Sequence, residues 1–166
     1  MAEFKFPEEK NLVFIGEAGS GKTETAVNLA LRMAREGGRR VHFFDMDQTK
    51  PLFRARDCEA QLEREGVVFH FQAQYLDAPT VASGVIETLR DESSAVIMDI
   101  GGGSHGSHMI GQFSHLLNSA NTLVLYIVNP FRPWSGSRED IEVTMRRVLG
   151  AARLGSFRLV ANPNLG

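Results

Sequence analysis

Short apolar runs alternate along the chain with longer segments in which apolar residues recur every three or four positions. Runs rich in branched and aromatic residues are typical of buried strands, whereas the longer period is typical of amphipathic helices. We interpret residues 12–15, 41–45, 67–71, 95–100, 122–128 and 157–161 as strands. Parallel strands need crossover segments and are buried on both faces, so the alternation predicts an α/β fold. We expect a mostly parallel, twisted sheet of about six or seven strands with helices on both faces.

Four helices are predicted between these strands from their apolar faces. The first begins near Lys22 and ends at the glycines 37–38, which are a C-cap signal. The second follows Pro79, and the fourth begins after Ser137, with Asp140 three residues later as in an N-terminal capping motif. The apolar faces consist of Val27, Ala30, Leu31 and Ala34 in the first helix, Val81, Val85, Ile86 and Leu89 in the second, Met109, Phe113, Leu116 and Leu117 in the third, and Ile141, Met145, Val148 and Leu149 in the fourth.

The size of the chain is that of one ordinary domain. Its 166 residues with 43% hydrophobic content suffice for a single core, so we expect one domain over residues 1–166. The last predicted strand lies only a few residues before the end of the sequence. Since a helix usually covers such a strand, we expect either a truncated C-terminus or a partner surface there.

Charge and cysteine content exclude several classes of protein. A formal net charge of -2 provides no basic surface, so nucleic acid is not an expected partner. Cys58 is the single cysteine, which excludes an internal disulfide and a site built from several thiolates. No segment has the pattern of a signal peptide or reaches the length of a membrane span, so a cytoplasmic location is predicted.

The segment GEAGSGKT, residues 16–23, matches the phosphate-loop pattern GxxxxGK[ST] between a predicted strand and a predicted helix. Its glycines let main-chain N–H groups face a phosphate, and the helix N-terminus adds partial positive charge. Lys22 would reach the outer phosphates and Thr23 would supply a hydroxyl ligand for Mg²⁺. The residues expected to bind nucleotide here are Gly16, Glu17, Ala18, Gly19, Ser20, Gly21, Lys22, Thr23 and Glu24.

Acidic residues follow two other predicted strands. Asp45 and Asp47 end the second strand, and Asp99 ends the fourth, before Gly101 and Gly102. Carboxylates at the carboxyl edge of a parallel sheet are suited to Mg²⁺ bound to phosphates, and the glycines allow that segment to move. We therefore expect Thr23, Asp47 and Asp99 to hold the metal. The alternative is that these aspartates only cap strand ends and turns.

Together, GEAGSGKT, the strand ending in DMD and the segment DIGGGSHG resemble the P-loop ATPases that include the nitrogenase iron protein, the arsenite-pump ATPase and the cell-division-site and plasmid-partitioning ATPases. The resemblance covers most of the chain and implies a three-layer P-loop NTPase of the SIMIBI type. It implies that Lys22, Asp47 and Asp99 are catalytic, with Asp47 orienting the attacking water. It also implies that Asn162 reads the adenine, and the guanine-specific NKxD pattern is absent, so ATP is preferred over GTP.

The chain departs from this family at one loop position. Family members that enclose two nucleotides between subunits often carry a second lysine early in the loop, where this chain has Glu17. Either Lys50, Arg54 or Arg132 replaces that cation, or a partner supplies it and intrinsic hydrolysis is slow. We favour a slow switch, and the resemblance leaves a homodimer open.

Two further segments contain candidate binding residues. His105 and His108 follow Asp99 closely, but without a third ligand we interpret them as solvated histidines rather than a zinc site. Asn129, Arg132 and Trp134 follow the fifth strand and lie either near the nucleotide, at an interface, or in a loop packed on the domain.

The function predicted from these features is Mg²⁺-dependent binding and slow hydrolysis of ATP, which drives a conformational switch acting on a protein partner. Two alternatives use the same loop. One is a small-molecule kinase, and the other is a nucleotide-binding module without hydrolysis in a larger assembly.

Overall fold

The apolar runs form one six-stranded sheet in the computed structural model, which describes residues 6–47, 55–71 and 84–165. The strands are β1 (Asn11–Gly16), β2 (Arg40–Met46), β3 (Val68–His70), β4 (Ser94–Ile100), β5 (Thr122–Val128) and β6 (Arg158–Ala161). Their order across the sheet is β3-β2-β4-β1-β5-β6, and every neighbouring pair is parallel. The predicted α/β fold and its parallel sheet are therefore confirmed.

The register of the sheet brings the candidate acids toward the phosphate loop. Strand β1, which leads into the loop, lies between β4 and β5, and Phe14 on β1 pairs with Asp99 on β4. Strand β2 lies on the other side of β4, where Asp45 pairs with Asp99. Because parallel strands end at the same edge, β1, β2 and β4 deliver their following segments to one region.

The helices are α1 (Lys22–Glu36), α2 (Glu59–Arg64), α3 (Val85–Arg90), α4 (Gly103–His108), α5 (Ser114–Leu117) and α6 (Arg138–Ala152), with 3₁₀ segments at Ala55–Cys58, Met109–Phe113 and Pro133–Ser135. Two predicted ends are confirmed in detail. The Gly37 N–H donates to Met33 O at 2.7 Å at the end of α1. The Ser137 hydroxyl accepts from the Asp140 N–H at 3.1 Å at the start of α6.

Two helical segments differ from the prediction, and a third agrees with it over its described part. The third helix is divided into α4, a 3₁₀ segment and α5, with Gly111 close to α6, where an added Cβ would lie 3.2 Å from Ala151 O. Helix α2 was not predicted, because only Leu62 among its six residues is buried and no apolar period results. Helix α3 agrees with the second prediction, whose beginning around Pro79 and Val81 lies outside the described residues.

Alternating residues of the central strands point to two separate apolar clusters. Leu12 and Phe14 pack in the cluster that contains α1, whereas Val13 and Ile15 pack in the one that contains α6. Helices thus cover both faces of the sheet, as the pattern predicted. Among the helices of residues 6–47, 55–71 and 84–165, none combines the length and the apolar composition that a membrane span requires.

Candidate nucleotide-binding site

The phosphate loop connects the buried end of β1 to the first turn of α1. Gly19 and Gly21 have φ values of 71° and 86°, a left-handed conformation that glycine adopts at little cost. Gly21 also has no room for a side chain, since an added Cβ would collide with Asn162 Nδ2. The glycine positions of the motif therefore correspond to real backbone requirements.

Lys22 lies inside this loop rather than in solvent. Its side chain is 6% exposed, and Nζ donates to the main-chain oxygen of Glu17 at 2.9 Å. Burial lowers the pKa of Lys22, while nearby Asp99, Asp47, Glu17 and Glu24 raise it. The ammonium group is thus positioned at the loop by a main-chain contact, which a phosphate oxygen can replace.

Thr23 and Asp99 are joined directly. The Thr23 hydroxyl donates to Asp99 Oδ2 at 2.7 Å. The other oxygen, Oδ1, is buried and has no hydrogen-bond partner among residues 6–47, 55–71 and 84–165. Burial raises the pKa of Asp99 to about 7, against the opposing effects of Lys22 and Thr23. A buried carboxylate oxygen without a partner is costly unless a ligand satisfies it.

The second candidate acid lies beside the segment that follows Asp99. The Asp47 N–H donates to Asp45 Oδ1 at 3.0 Å. A Cβ added to Gly101 would lie 3.0 Å from Asp47 Oδ1, so this carboxylate is held over Gly101. Asp47 also acts electrostatically on Lys22 and Asp99. The structure therefore brings Asp47 to the same site as Asp99.

The segment after Asp99 also contacts the phosphate loop. A Cβ added to Gly102 would lie 2.8 Å from Ala18 N. The glycine thus permits a close backbone approach between the end of β4 and the loop. A displacement of either segment would therefore also displace the other.

Residues at the ends of β5 and β6 donate hydrogen bonds to the phosphate loop. Asn129 Nδ2 and Arg132 Nε donate to Gly19 O at 3.3 and 3.1 Å. Asn162 Nδ2 donates to Ser20 O at 3.0 Å. Asn162 therefore lies at the loop, and Arg132, one of the three candidate replacement cations, lies there as well.

Arg147 is a site residue that the sequence motifs did not indicate. Its Nη2 donates to Glu17 Oε1 at 2.6 Å across 130 positions of sequence. Only the chain topology, which packs α6 beside β1, could have suggested this contact.

The remaining candidates are less closely involved. His105 and His108 are exposed on α4, and Trp134 lines a small cavity behind the loop with Glu17 and Ser20. Lys50 and Arg54 lie outside the described residues. Glu24 is exposed in the first turn of α1.

The donor set at Thr23 and Asp99 fits Mg²⁺. Hydroxyl and carboxylate oxygens are the ligands that Mg²⁺ prefers, and Asp99 Oδ1 is an unsatisfied oxygen at this position. Over the described part of the chain, no group of three or more His, Cys, Asp or Glu side chains forms a metal cage. Mg²⁺ commonly takes one or two carboxylates together with phosphate and water oxygens.

One family model matches most of the chain. A family model described as the CobQ/CobB/MinD/ParA nucleotide binding domain (CbiA) matches residues 12–157. This range contains the loop, Asp47 and Asp99. No curated protein sequence matches the chain significantly.

Solved structures with a similar fold include two of a signal recognition particle receptor and one of a cell division protein. The receptor FtsY from Elizabethkingia anophelis has a TM-score of 0.59 and 20% identity over 93% of this chain and 51% of that chain. The same receptor in complex with GDP has a TM-score of 0.59 and 20% identity over 95% and 50%. Cell division protein FtsY from Thermotoga maritima has a TM-score of 0.58 and 20% identity over 92% and 53%. The chain thus spans about half the length of these structures, and they share its fold.

Proposed function

This chain belongs to the CobQ/CobB/MinD/ParA nucleotide-binding domain family, and we propose that it binds ATP with Mg²⁺ and hydrolyses it slowly to switch a contact with a protein partner. Membership of the family establishes a nucleotide-binding P-loop domain. The choice of ATP, the hydrolysis and the partner are the proposal.

The observation that carries the proposal is the contact between Thr23 and Asp99. The hydroxyl of the loop and the carboxylate of β4 are already 2.7 Å apart, with Asp99 Oδ1 buried and unsatisfied within the described ranges. Hydroxyl and carboxylate ligands from these two elements are what a phosphate-bound Mg²⁺ requires. A turn that only capped a helix would not need a buried acid from the neighbouring strand.

Each residue has a defined task in the proposed hydrolysis. Main-chain N–H groups of residues 16–23 and the Lys22 ammonium group bind the phosphates and stabilise charge that develops there. Thr23 and Asp99 would hold Mg²⁺, which would neutralise phosphate charge. Asp47 accepts a hydrogen bond from the attacking water and orients it. Lys22 exchanges its contact with Glu17 O for a phosphate oxygen.

The close packing around Gly101 and Gly102 supports a switch. Asp47 lies over Gly101, and Gly102 lies against Ala18, so the segments after β2 and β4 and the loop are packed together. A terminal phosphate bound between them would order this packing, and its release would loosen it. A partner that contacts either segment would then respond to the nucleotide state.

Asn162 is the residue that we expect to contact the base. Its side chain lies at the loop through the contact with Ser20 O, at the end of β6. An amide at this position can donate and accept hydrogen bonds with a purine edge. The GDP complex of the Elizabethkingia receptor makes GTP the competing nucleotide to test.

The test measures nucleotide affinity by calorimetry and, separately, the rate of phosphate release. Both are measured with ATP and with GTP, in the presence of Mg²⁺ and in EDTA. We expect tight ATP binding that needs Mg²⁺ and slow release without an acceptor. Release that needs an added metabolite would indicate a kinase, and binding without release would indicate a non-hydrolysing module. A preference for GTP would contradict the assignment of the base.

The matched variants are Lys22→Ala and Lys10→Ala. Both lysines are buried, but Lys10 lies before β1, at the opposite end of the strand, and donates to Asp91 O at 2.8 Å. We expect Lys22→Ala to weaken ATP binding by at least about tenfold, since a charged contact to phosphate is lost. Lys10→Ala should lower stability and leave ATP affinity unchanged. Equal affinities in both variants would contradict the proposal.

A further inference from the structure

An ion pair links the second residue of the phosphate loop to helix α6. The Glu17 carboxylate is 14% exposed and accepts from Arg147 Nη2 at 2.6 Å, while the Arg147 side chain is 59% exposed. The acid is therefore nearly enclosed, whereas its cation reaches it from the surface.

Glu17 also contacts the two segments that surround the phosphates. Its main-chain oxygen accepts from Lys22 Nζ at 2.9 Å. Its Oε2 would lie 3.2 Å from a Cβ at Gly103, so the carboxylate is pressed against the segment after β4. Its charge therefore acts close to where the outer phosphates must bind.

The electrostatic environment of Lys22 shows why this charge matters. Asp99, Asp47, Glu17 and Glu24 all act on Lys22 as negative charges. Mg²⁺ would offset Asp99 and Asp47, but Glu17 is not among the proposed metal ligands. Without a cation of its own, Glu17 would repel a triphosphate at short range.

We infer that Arg147 is a positioning residue that sets the affinity of the loop for terminal phosphates by neutralising Glu17. Arg147 acts through Glu17 and needs no direct contact with the nucleotide. The inference rests on the proposed triphosphate binding at this loop, and it assigns a role in nucleotide affinity to an exposed arginine on a different element.

The experiment compares the affinities of wild type, Arg147→Gln, Glu17→Gln and the double variant for ATP, ADP and AMP, or for the guanine series if wild type prefers it. Arg147→Gln should weaken triphosphate binding about tenfold, which corresponds to about 1.4 kcal/mol. The loss should decrease from tri- to di- to monophosphate, because the repulsion depends on phosphate charge.

The affinity of the double variant distinguishes charge neutralisation from a purely structural role of the ion pair. Glu17→Gln should bind triphosphate at least as tightly as wild type, and the double variant should recover to within about threefold of wild type, since no acid remains to be neutralised. Arg146→Gln is the matched control, because Arg146 lies on the same helix and pairs with Glu142 at 3.1 Å. It should bind like wild type.

The opposing outcomes are distinct. If the ion pair only held the loop in place, Glu17→Gln would bind triphosphate as weakly as Arg147→Gln. The double variant would then not recover wild-type affinity, and the inference would be overturned. An Arg147→Gln affinity equal to wild type also overturns it. If Arg147→Gln does not fold, the test depends on Glu17→Gln alone. Triphosphate binding by Glu17→Gln that is weaker than that of wild type would contradict charge neutralisation. A wild type that binds no triphosphate overturns the proposed function and this inference with it.

Discussion

Two buried ionisable residues, Lys22 and Asp99, determine the electrostatics of the candidate site. Lys22 is 6% exposed and Asp99 is 1% exposed, and both remain at the end of the sheet where a phosphate and a cation would meet. Burial acts in opposite directions on the two groups, lowering the pKa of Lys22 and raising that of Asp99 to about 7. Such positions cost stability in the free protein and are expected at sites built for a charged ligand.

Asp99→Asn tests this cost. At pH 8 in EDTA the wild type holds a buried, ionised carboxylate, so we expect the neutral amide to raise the free energy of unfolding by about 1–3 kcal/mol. The same change should abolish the Mg²⁺ dependence of nucleotide affinity, since a carboxylate ligand is lost. Urea denaturation and calorimetry measure the two effects.

Asp91→Asn provides the opposite control. Hydrogen bonds from Ser94 and Ser93 lower the pKa of Asp91 to about 2, so its ionised form is favoured in the folded state. We therefore expect Asp91→Asn to lower stability at pH 8 and leave nucleotide affinity unchanged. A loss of stability in both variants would mean that burial is not the dominant effect at Asp99.

The segment from the end of β4 to α4 is the element that joins the metal site to the loop. Gly102 has ordinary φ and ψ angles of -61° and 142°, so its backbone conformation suits any residue. The constraint is space, since an added Cβ would lie 2.8 Å from Ala18 N and 3.0 Å from Ala18 Cβ. Glycine at this position therefore allows the β4–α4 segment and the phosphate loop to pack closely.

Gly102→Ala should separate the β4–α4 segment from the loop. We expect ATP affinity to fall by about tenfold or more, because the N–H groups of the loop or Asp99 must shift by several tenths of an ångström. The matched control is Gly150→Ala on α6, where an added Cβ meets nothing within 4 Å. That change should raise stability by about 0.5–1 kcal/mol and leave affinity unaltered. Equal ATP affinity in the two variants would contradict the packing argument.

Elements with a strong period were predictable from the sequence, and those defined by tertiary contact were not. The strands, α1 and α6 have clear apolar patterns and end signals, whereas α2 buries only Leu62. The third predicted helix is split where Gly111 approaches α6 closely, and the periodicity of Met109 and Phe113 does not indicate this approach.

The same distinction applies to the site. The loop and Asp99 follow from a motif and a strand end, and the sheet order then brings them together. Arg147 meets Glu17 only because α6 packs beside the loop, so no local signal identifies it. Contacts of this kind become visible once the topology is known.

At the scale of the whole molecule, the candidate site joins segments that follow β1, β2 and β4 with residues at the ends of β5 and β6. A ligand that contacts so many strand ends must stabilise the sheet as one unit, and its binding free energy is added to that of folding. The expected consequence is a single cooperative transition over the chain, as in one domain.

Thermal unfolding with and without ATP·Mg²⁺ tests this consequence. Circular dichroism reports the helices and sheet, and fluorescence reports Trp134, which lies with Glu17 and Ser20 at the cavity behind the loop. We expect the two probes to give the same midpoint and to shift together, by about 2.7 kcal/mol of stability at a ligand concentration one hundred times Kd. In Lys22→Ala, the shift should be largely lost. Because the proposed ligand would contact the segments after β1, β2 and β4 and residues at the ends of β5 and β6, a shift seen by Trp134 alone would mean that nucleotide orders only the loop region and that the sheet unfolds independently of it.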